Sequence, residues 1–165
     1  MNISILEQKE EGNGENHCYL SQPAVWEYED ACRSGRRGAR EAGAEVKLIN
    51  TNERRVTLEE FLSADGVTIG TPDYFSYVAG TVKTFFDDLY LWDQSGKPVK
   101  GKPAVLFFSC GGGGKVRQPF ESLAQRFFEH VGETVGAERP ISSEAKKKCL
   151  ALGKELVKSS RSKTS

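Results

Sequence analysis

Apolar and polar positions follow clear periods along this chain from residue 38 onward and follow none before it. In "AEVKLIN" (residues 44–50) the two kinds alternate behind a turn glycine, the pattern of a half-buried strand. "VTLEEFLSAD" opens on Thr57 with Glu60 three residues on, a capping-box spacing that predicts a short helix. "GVTIGTP" (Gly66–Pro72) is a β-rich run halted at a proline. Val78, Val82, Phe85, Phe86 and Leu89 then recur at helical spacing. "PAVLFFS" (residues 103–109) is a continuous apolar run, as in a strand buried on both faces, and it empties into four glycines at 111–114. "FESLAQRFFEHVG" reads as an amphipathic helix ended by Gly132, and "ETVGA" as a short last strand. A final helix keeps Cys149, Leu152 and Leu156 on one face. The closing residues, 159–165, read as a polar, frayed tail. This alternation of strands and helices predicts an α/β domain with a parallel sheet wrapped by helices, without internal repeat or linker.

Composition narrows the function classes. The chain carries 23 basic and 23 acidic residues, so no net field draws it to nucleic acid or to an acidic membrane. No apolar stretch is long enough to cross a bilayer and no signal pattern opens the chain, so a cytoplasmic protein is expected. Cys18, Cys32, Cys110 and Cys149 form no Cys-x-x-Cys pair, and His17 and His130 stand apart from them. That spacing argues against a metal site and for separate free thiols.

Candidate chemistry lies after two strands, because open parallel sheets bind ligands beyond the carboxyl ends of their strands. After Pro72 come Asp73 and three aromatics, Tyr74, Phe75 and Tyr77, in a loop. Loop aromatics either fold back onto the core or cover a flat ligand. After Ser109 and Cys110 come the glycines, which lose much backbone entropy on ordering but expose amide N–H groups and let a ligand approach. Alone, such a run is a mobile loop. It is not a nucleotide P-loop, since Lys115 is followed by Val116 rather than Ser or Thr. Together, the two loops point to a planar aromatic ligand between them. Phe85, Phe86, Phe127 and Phe128 sit at helical spacing and are assigned to the core, as is Trp92.

The segments "ADGVTIGTPDYFSYVAGTVKTFFDD" and "GKPAVLFFSCGGGGK" resemble the central segment and the next strand and glycine loop of the flavodoxin-like superfamily. "GAREAGAEVKLIN" resembles the end of its first helix and its second strand, so the likeness runs over about residues 38–158. The resemblance implies a three-layer sandwich with a parallel sheet of order 2-1-3-4-5 that binds FMN. It places Thr71, Pro72, Asp73, Tyr74, Phe75, Ser76 and Tyr77 along one side of the flavin, and Ser109, Cys110, Gly111, Gly112 and Gly113 along its pyrimidine edge. It implies electron transfer with a redox partner protein or, alternatively, NAD(P)H-dependent reduction of a quinone or of FMN. Oligomers are compatible with it. Asp73 departs from the family pattern, where Thr is common, as do Ser76 and Tyr77, where Gly and Asn are common. A carboxylate near the flavin lowers its potential; a carboxylate that faces water does not.

Such a domain also needs a central first strand ending in a hydroxyl-rich phosphate loop. Residues 1–37 supply neither in the frame as written, so the first strand is expected to be absent or replaced. Residues 22–25 are a weak substitute, since Pro23 suits no central strand. The codons permit another reading. Read one base later, Trp26 to Asp30 allow Gly-Asn-Thr-Lys-Met, and His17 to Gln22 allow Ile-Val-Ile-Ser-Ala-Ser. Cys32 to Gly38 allow an Ala-rich helix that runs directly into "AREAGAEV". Upstream, Lys9 to Glu11 can encode a purine run like a ribosome-binding site, and Asn13-Gly14 can contain a start codon. Residues 1–37 thus read as translation out of register. The function class that opposes the redox reading is a cofactor-free fold or a defective gene product.

Overall fold

The computed structural model describes residues 18–20, 29–138 and 141–164. Its sheet runs β2 (Val46–Leu48), β1 (Cys18–Leu20), β3 (Gly66–Pro72), β4 (Lys102–Cys110) and β5 (Phe128–His130), with β6 (Val135–Glu138) also on β4. Every pairing is parallel, so the order 2-1-3-4-5 is present with its last lane in two pieces. Ala104 faces His130 and Phe107 faces Val135, so three steps along β4 match five along the outer lane. This bulge directs the Thr134 carbonyl toward the start of the fourth helix. All of β3 is buried and β4 is buried but for Lys102 and Ser109, as expected for strands covered on both faces.

Helices α1 (Glu29–Glu41) and α5 (Ser143–Thr164) pack together on one face. On the other, α2 (Leu58–Ser63), α3 (Gly80–Gln94) and α4 (Arg117–Ala124) share an aromatic layer. Phe61, Phe85, Phe86, Phe120 and Phe128 meet there with ring centroids 5.9 to 6.4 Å apart, and Trp92 joins Phe61 at 6.1 Å. The capping box at Thr57 forms as the spacing predicts.

The central lane is held by a replacement, Cys18–Leu20, which pairs with both β2 and β3 and is one of the two outcomes expected there; residues 22–25 lie outside the described residues. Three expectations change. Helix α1 begins at Glu29, where no apolar period is visible. Its contact with α5 is made by backbone and small residues instead: a Cβ on Gly38 would strike the Leu150 carbonyl, and one on Gly153 the Gly35 carbonyl and the Ala39 nitrogen. The helix expected to reach Gly132 ends at Ala124, because Phe128 leaves it to pair with Lys102 on β4. Phe127 and Phe128 are nevertheless core, as assigned. Residues 159–164 are no frayed tail but the last turns of α5, held by buried Ser160.

Candidate functional site

The carboxyl ends of β3 and β4 lie side by side, with Pro72 opposite Ser109. The loops that leave them are therefore neighbours. Tyr74 and Tyr77 exchange two backbone hydrogen bonds of 3.0 Å, closing a tight turn whose central residues are Phe75 and Ser76. Both have positive φ, 56° and 65°. This is the I′ type that normally selects Asn or Gly. A Phe there carries roughly 1–2 kcal/mol of backbone strain. The strain is not repaid by burial: Phe75 is fully exposed, and Tyr74 and Tyr77 are 49% and 41% exposed. Of the two fates open to loop aromatics, folding back onto the core is excluded for these three.

The base of this turn is firmly held. Thr71 is completely buried; its hydroxyl accepts from the Ala79 N–H at 3.0 Å and donates to the Pro72 carbonyl at 3.0 Å. Thr71 and Pro72 thus shape the loop, and only their backbone can face a ligand. Asp73 is half-buried and ties the loop to its neighbour. Its N–H donates to the Ser109 carbonyl at 2.7 Å, and its carboxylate accepts from the Val116 N–H at 3.2 Å. The carboxylate therefore does not simply face water.

Across from it, Gly111, Gly112 and Gly113 are exposed, and a Cβ on any of them would meet nothing within 4 Å. Gly112 and Gly113 take φ of 154° and 79°. Gly114 sits against the Phe108 ring, and the Cys110 thiol lies on that inner side, away from the open face. Arg117 anchors the far end of the loop. Its guanidinium lies over the Phe108 ring at 5.3 Å and donates to the Thr134 carbonyl at 2.7 Å. A lone Arg in "KVRQP" offers no sequence signal for this role, which only the bulge between β5 and β6 creates. Behind the site, burial pushes the Cys149 thiol up to about 11, so it stays protonated and inert near neutrality. Among the described residues no group of three or more His, Cys, Asp or Glu is placed to hold a metal, and no helix is long and apolar enough to cross a membrane.

A cavity of about 590 Å³ opens on the β6 side of the glycine loop, walled by Phe108, Cys110, Gly113, Arg117 and Glu138. None of its wall comes from the aromatic turn. Between the two turns the surface carries the exposed rings of Tyr74, Phe75 and Tyr77 on one side and exposed Gly111, Gly112 and Gly113 on the other.

Residues 36–145 match the family model of the NADPH-dependent FMN reductases. The chain belongs to that family. It is a flavodoxin-like redox protein of the FMN-binding kind. A flavodoxin of Aquifex aeolicus is 32% identical over 136 residues, 70% of either chain. The quinone-oxidoreductase QR2 of Triphysaria versicolor is 34% identical over 91 residues, half of this chain and 43% of that one. An archaeal flavodoxin superposes with a TM-score of 0.73 over 88% of this chain and 99% of its own, at 13% identity, which speaks for the fold alone.

The described residues fit the ring end of this family's cofactor. Three unburied aromatics stand on a strained turn beside glycines whose α-carbons face open space. The residues that would hold the phosphate, after β1, lie outside the described residues.

Proposed function

We propose that the chain holds the FMN ring between the turn at residues 73–77 and the loop at residues 109–113, and that it reduces a quinone-class acceptor with electrons from NAD(P)H. FMN, when bound, supplies the chemistry: it accepts a hydride equivalent and passes the electrons on. The protein's own groups bind and orient. Tyr74, Phe75 and Tyr77 offer ring faces for stacking. The N–H groups of Gly111, Gly112 and Gly113, beyond the end of β4, are offered as donors to the polar edge of the ring. The observation that carries this reading is the fully exposed Phe75 at φ 56°, a strained apolar side chain that nothing within the described residues covers. The family match and the quinone-oxidoreductase relative favour the reductase; the flavodoxin relative favours a carrier that serves a partner protein.

The phosphate end bears on the same reading. We infer that residues 13–37 are an out-of-frame reading of a strand, phosphate loop and helix. The family match begins at residue 36, two residues before Gly38, around whose codons the two frames are expected to join. Strand β1 (Cys18–Leu20) falls within the stretch whose shifted codons allow Ile-Val-Ile-Ser-Ala-Ser. Helix α1 starts at Glu29, directly after the codons that allow Gly-Asn-Thr. Sequencing the DNA tests this directly: a stop codon in the shifted frame between codons 13 and 38 ends the idea.

The functional test uses both polypeptides, the written chain and the frame-restored one. The restored chain is expected to be yellow and to oxidise NAD(P)H in the presence of a soluble quinone. A flavin-loaded protein with no such turnover is a carrier. A restored chain that stays colourless in excess FMN defeats the cofactor assignment.

A further inference from the structure

Asp73 joins three elements that the sequence separates. Its main chain is bonded to the end of β4 through the Ser109 carbonyl, at 2.7 Å. Its carboxylate is bonded to the Val116 N–H at the N-cap of α4, at 3.2 Å. The residue itself begins the aromatic turn. Helix α4 needs such a partner: no side chain caps it locally, and its first turn holds no acidic residue. A carboxylate reaching the N-terminus from another loop meets both the orphan N–H and the positive end of the helix dipole.

The loop between Cys110 and Val116 has little else to hold it. Gly111, Gly112 and Gly113 touch nothing with their α-carbon faces. Arg117 fastens the far end to the Thr134 carbonyl on the outer lane, which fixes α4 but says nothing of its distance from the aromatic turn. The carboxylate of Asp73 spans that gap, and the main chain at Ser109 fixes its root. Thr, common at this position in the family, has a shorter side chain and carries no full charge.

We propose that Asp73 is a positioning residue of the flavin site. It clasps the start of α4 to the aromatic turn and so sets the width of the slot between that turn and the glycine loop. The proposal rests on the flavin reading given above for the identity of the ligand, but the clasp is testable without it.

The test compares Asp73→Ala with Asp73→Asn in the chain as written and in the frame-restored chain. In the FMN-free protein, amide hydrogen exchange is read at residues 111–116, with the urea midpoint as a control. Asp73→Ala removes the acceptor, and exchange at Val116 is expected to rise about tenfold, with the glycine amides following. The global midpoint moves little, because Arg117 still anchors α4. Asp73→Asn keeps a carbonyl oxygen to accept the bond and is expected to restore exchange to within about twofold of the parent. FMN affinity of the restored chain, read by quenching of flavin fluorescence, is expected to fall about tenfold in Asp73→Ala and to hold in Asp73→Asn. Unchanged exchange at Val116 in Asp73→Ala overturns the clasp. Faster exchange with FMN affinity intact overturns its role in the site. A frame-restored parent that takes up no FMN, with the Val116 acceleration present in Asp73→Ala, sinks the flavin reading and leaves the clasp standing.

Discussion

Two groups of glycines in this protein meet opposite surroundings. At the contact of α1 and α5, a Cβ on Gly38 or Gly153 would collide with main-chain atoms of the facing helix. In the loop after β4, a Cβ on Gly111, Gly112 or Gly113 would meet empty space. The first group is needed for the fold: glycine lets two backbones approach more closely than any side chain permits. The second group satisfies no contact within the protein. Gly114 is required by the Phe108 ring and Gly112 and Gly113 by their positive φ, while the open faces of residues 111–113 leave room for the ligand proposed above. The aromatic turn beside them makes the complementary choice. It accepts positive φ at Phe75 and Ser76, where glycine would relieve the strain, and keeps a ring exposed in return.

That contrast breaks first at the helix contact. Gly153→Ala is expected to destabilise the fold by about 3 kcal/mol, read as a lower urea midpoint at unchanged slope. A loss under about 0.5 kcal/mol would mean that the two helices can part without cost. In the loop, Gly111→Ala is expected to leave stability within about 0.5 kcal/mol of the parent. It is expected to weaken FMN binding by the frame-restored chain about tenfold, since the new methyl stands where the ring approaches. Equal affinity would show that the open face of Gly111 is not a ligand surface. Ser76→Gly relieves a strained φ of 65° and is expected to raise stability by about 0.5–1 kcal/mol, after allowance for glycine's greater freedom in the unfolded chain. A destabilised variant would place the strain elsewhere.

These comparisons belong above pH 5, and the reason is itself a prediction. Burial pushes the Glu60 carboxyl up, but hydrogen bonds from Arg54, the Thr57 N–H and Lys47 outweigh it and hold the group down at about 2. A depressed folded value stabilises the protein above the ordinary carboxylate range, and that stability is lost as pH falls from 4.5 toward 2. Glu60→Gln is expected to be less stable than the parent at pH 7, by under about 1 kcal/mol because both pairs sit at the surface, where solvent screens them and Gln keeps the capping geometry. The gap should close as pH falls to about 2. A gap that stays constant with pH would assign the effect to the capping box alone.

The parallel sheet, the capping box at Thr57, the limits of β3 and the pair of loops were all legible in order along the chain, because each rests on local period or local turn chemistry. Helix α1 was not, since its contact with α5 is made by half-buried Gly35 and buried Gly38 and Ala39 rather than by large apolar residues. The run from Phe120 to Gly132 kept a helical spacing that pairing with β4 overrode after Ala124, where strand hydrogen bonds and burial of Phe128 outweigh local preference. At the site, the twelve candidate residues came from two short stretches. Arg117 and Val116 join them through the bulge near Thr134 and the reach of Asp73.

What the sequence determined by itself was the alternation of elements and the chemistry carried by two loops, since periodicity and residue type act over a few neighbours. The tertiary structure alone decided which side chains those loops bury, which they leave bare, and that one carboxylate links them, because those outcomes depend on contacts between residues some forty positions apart.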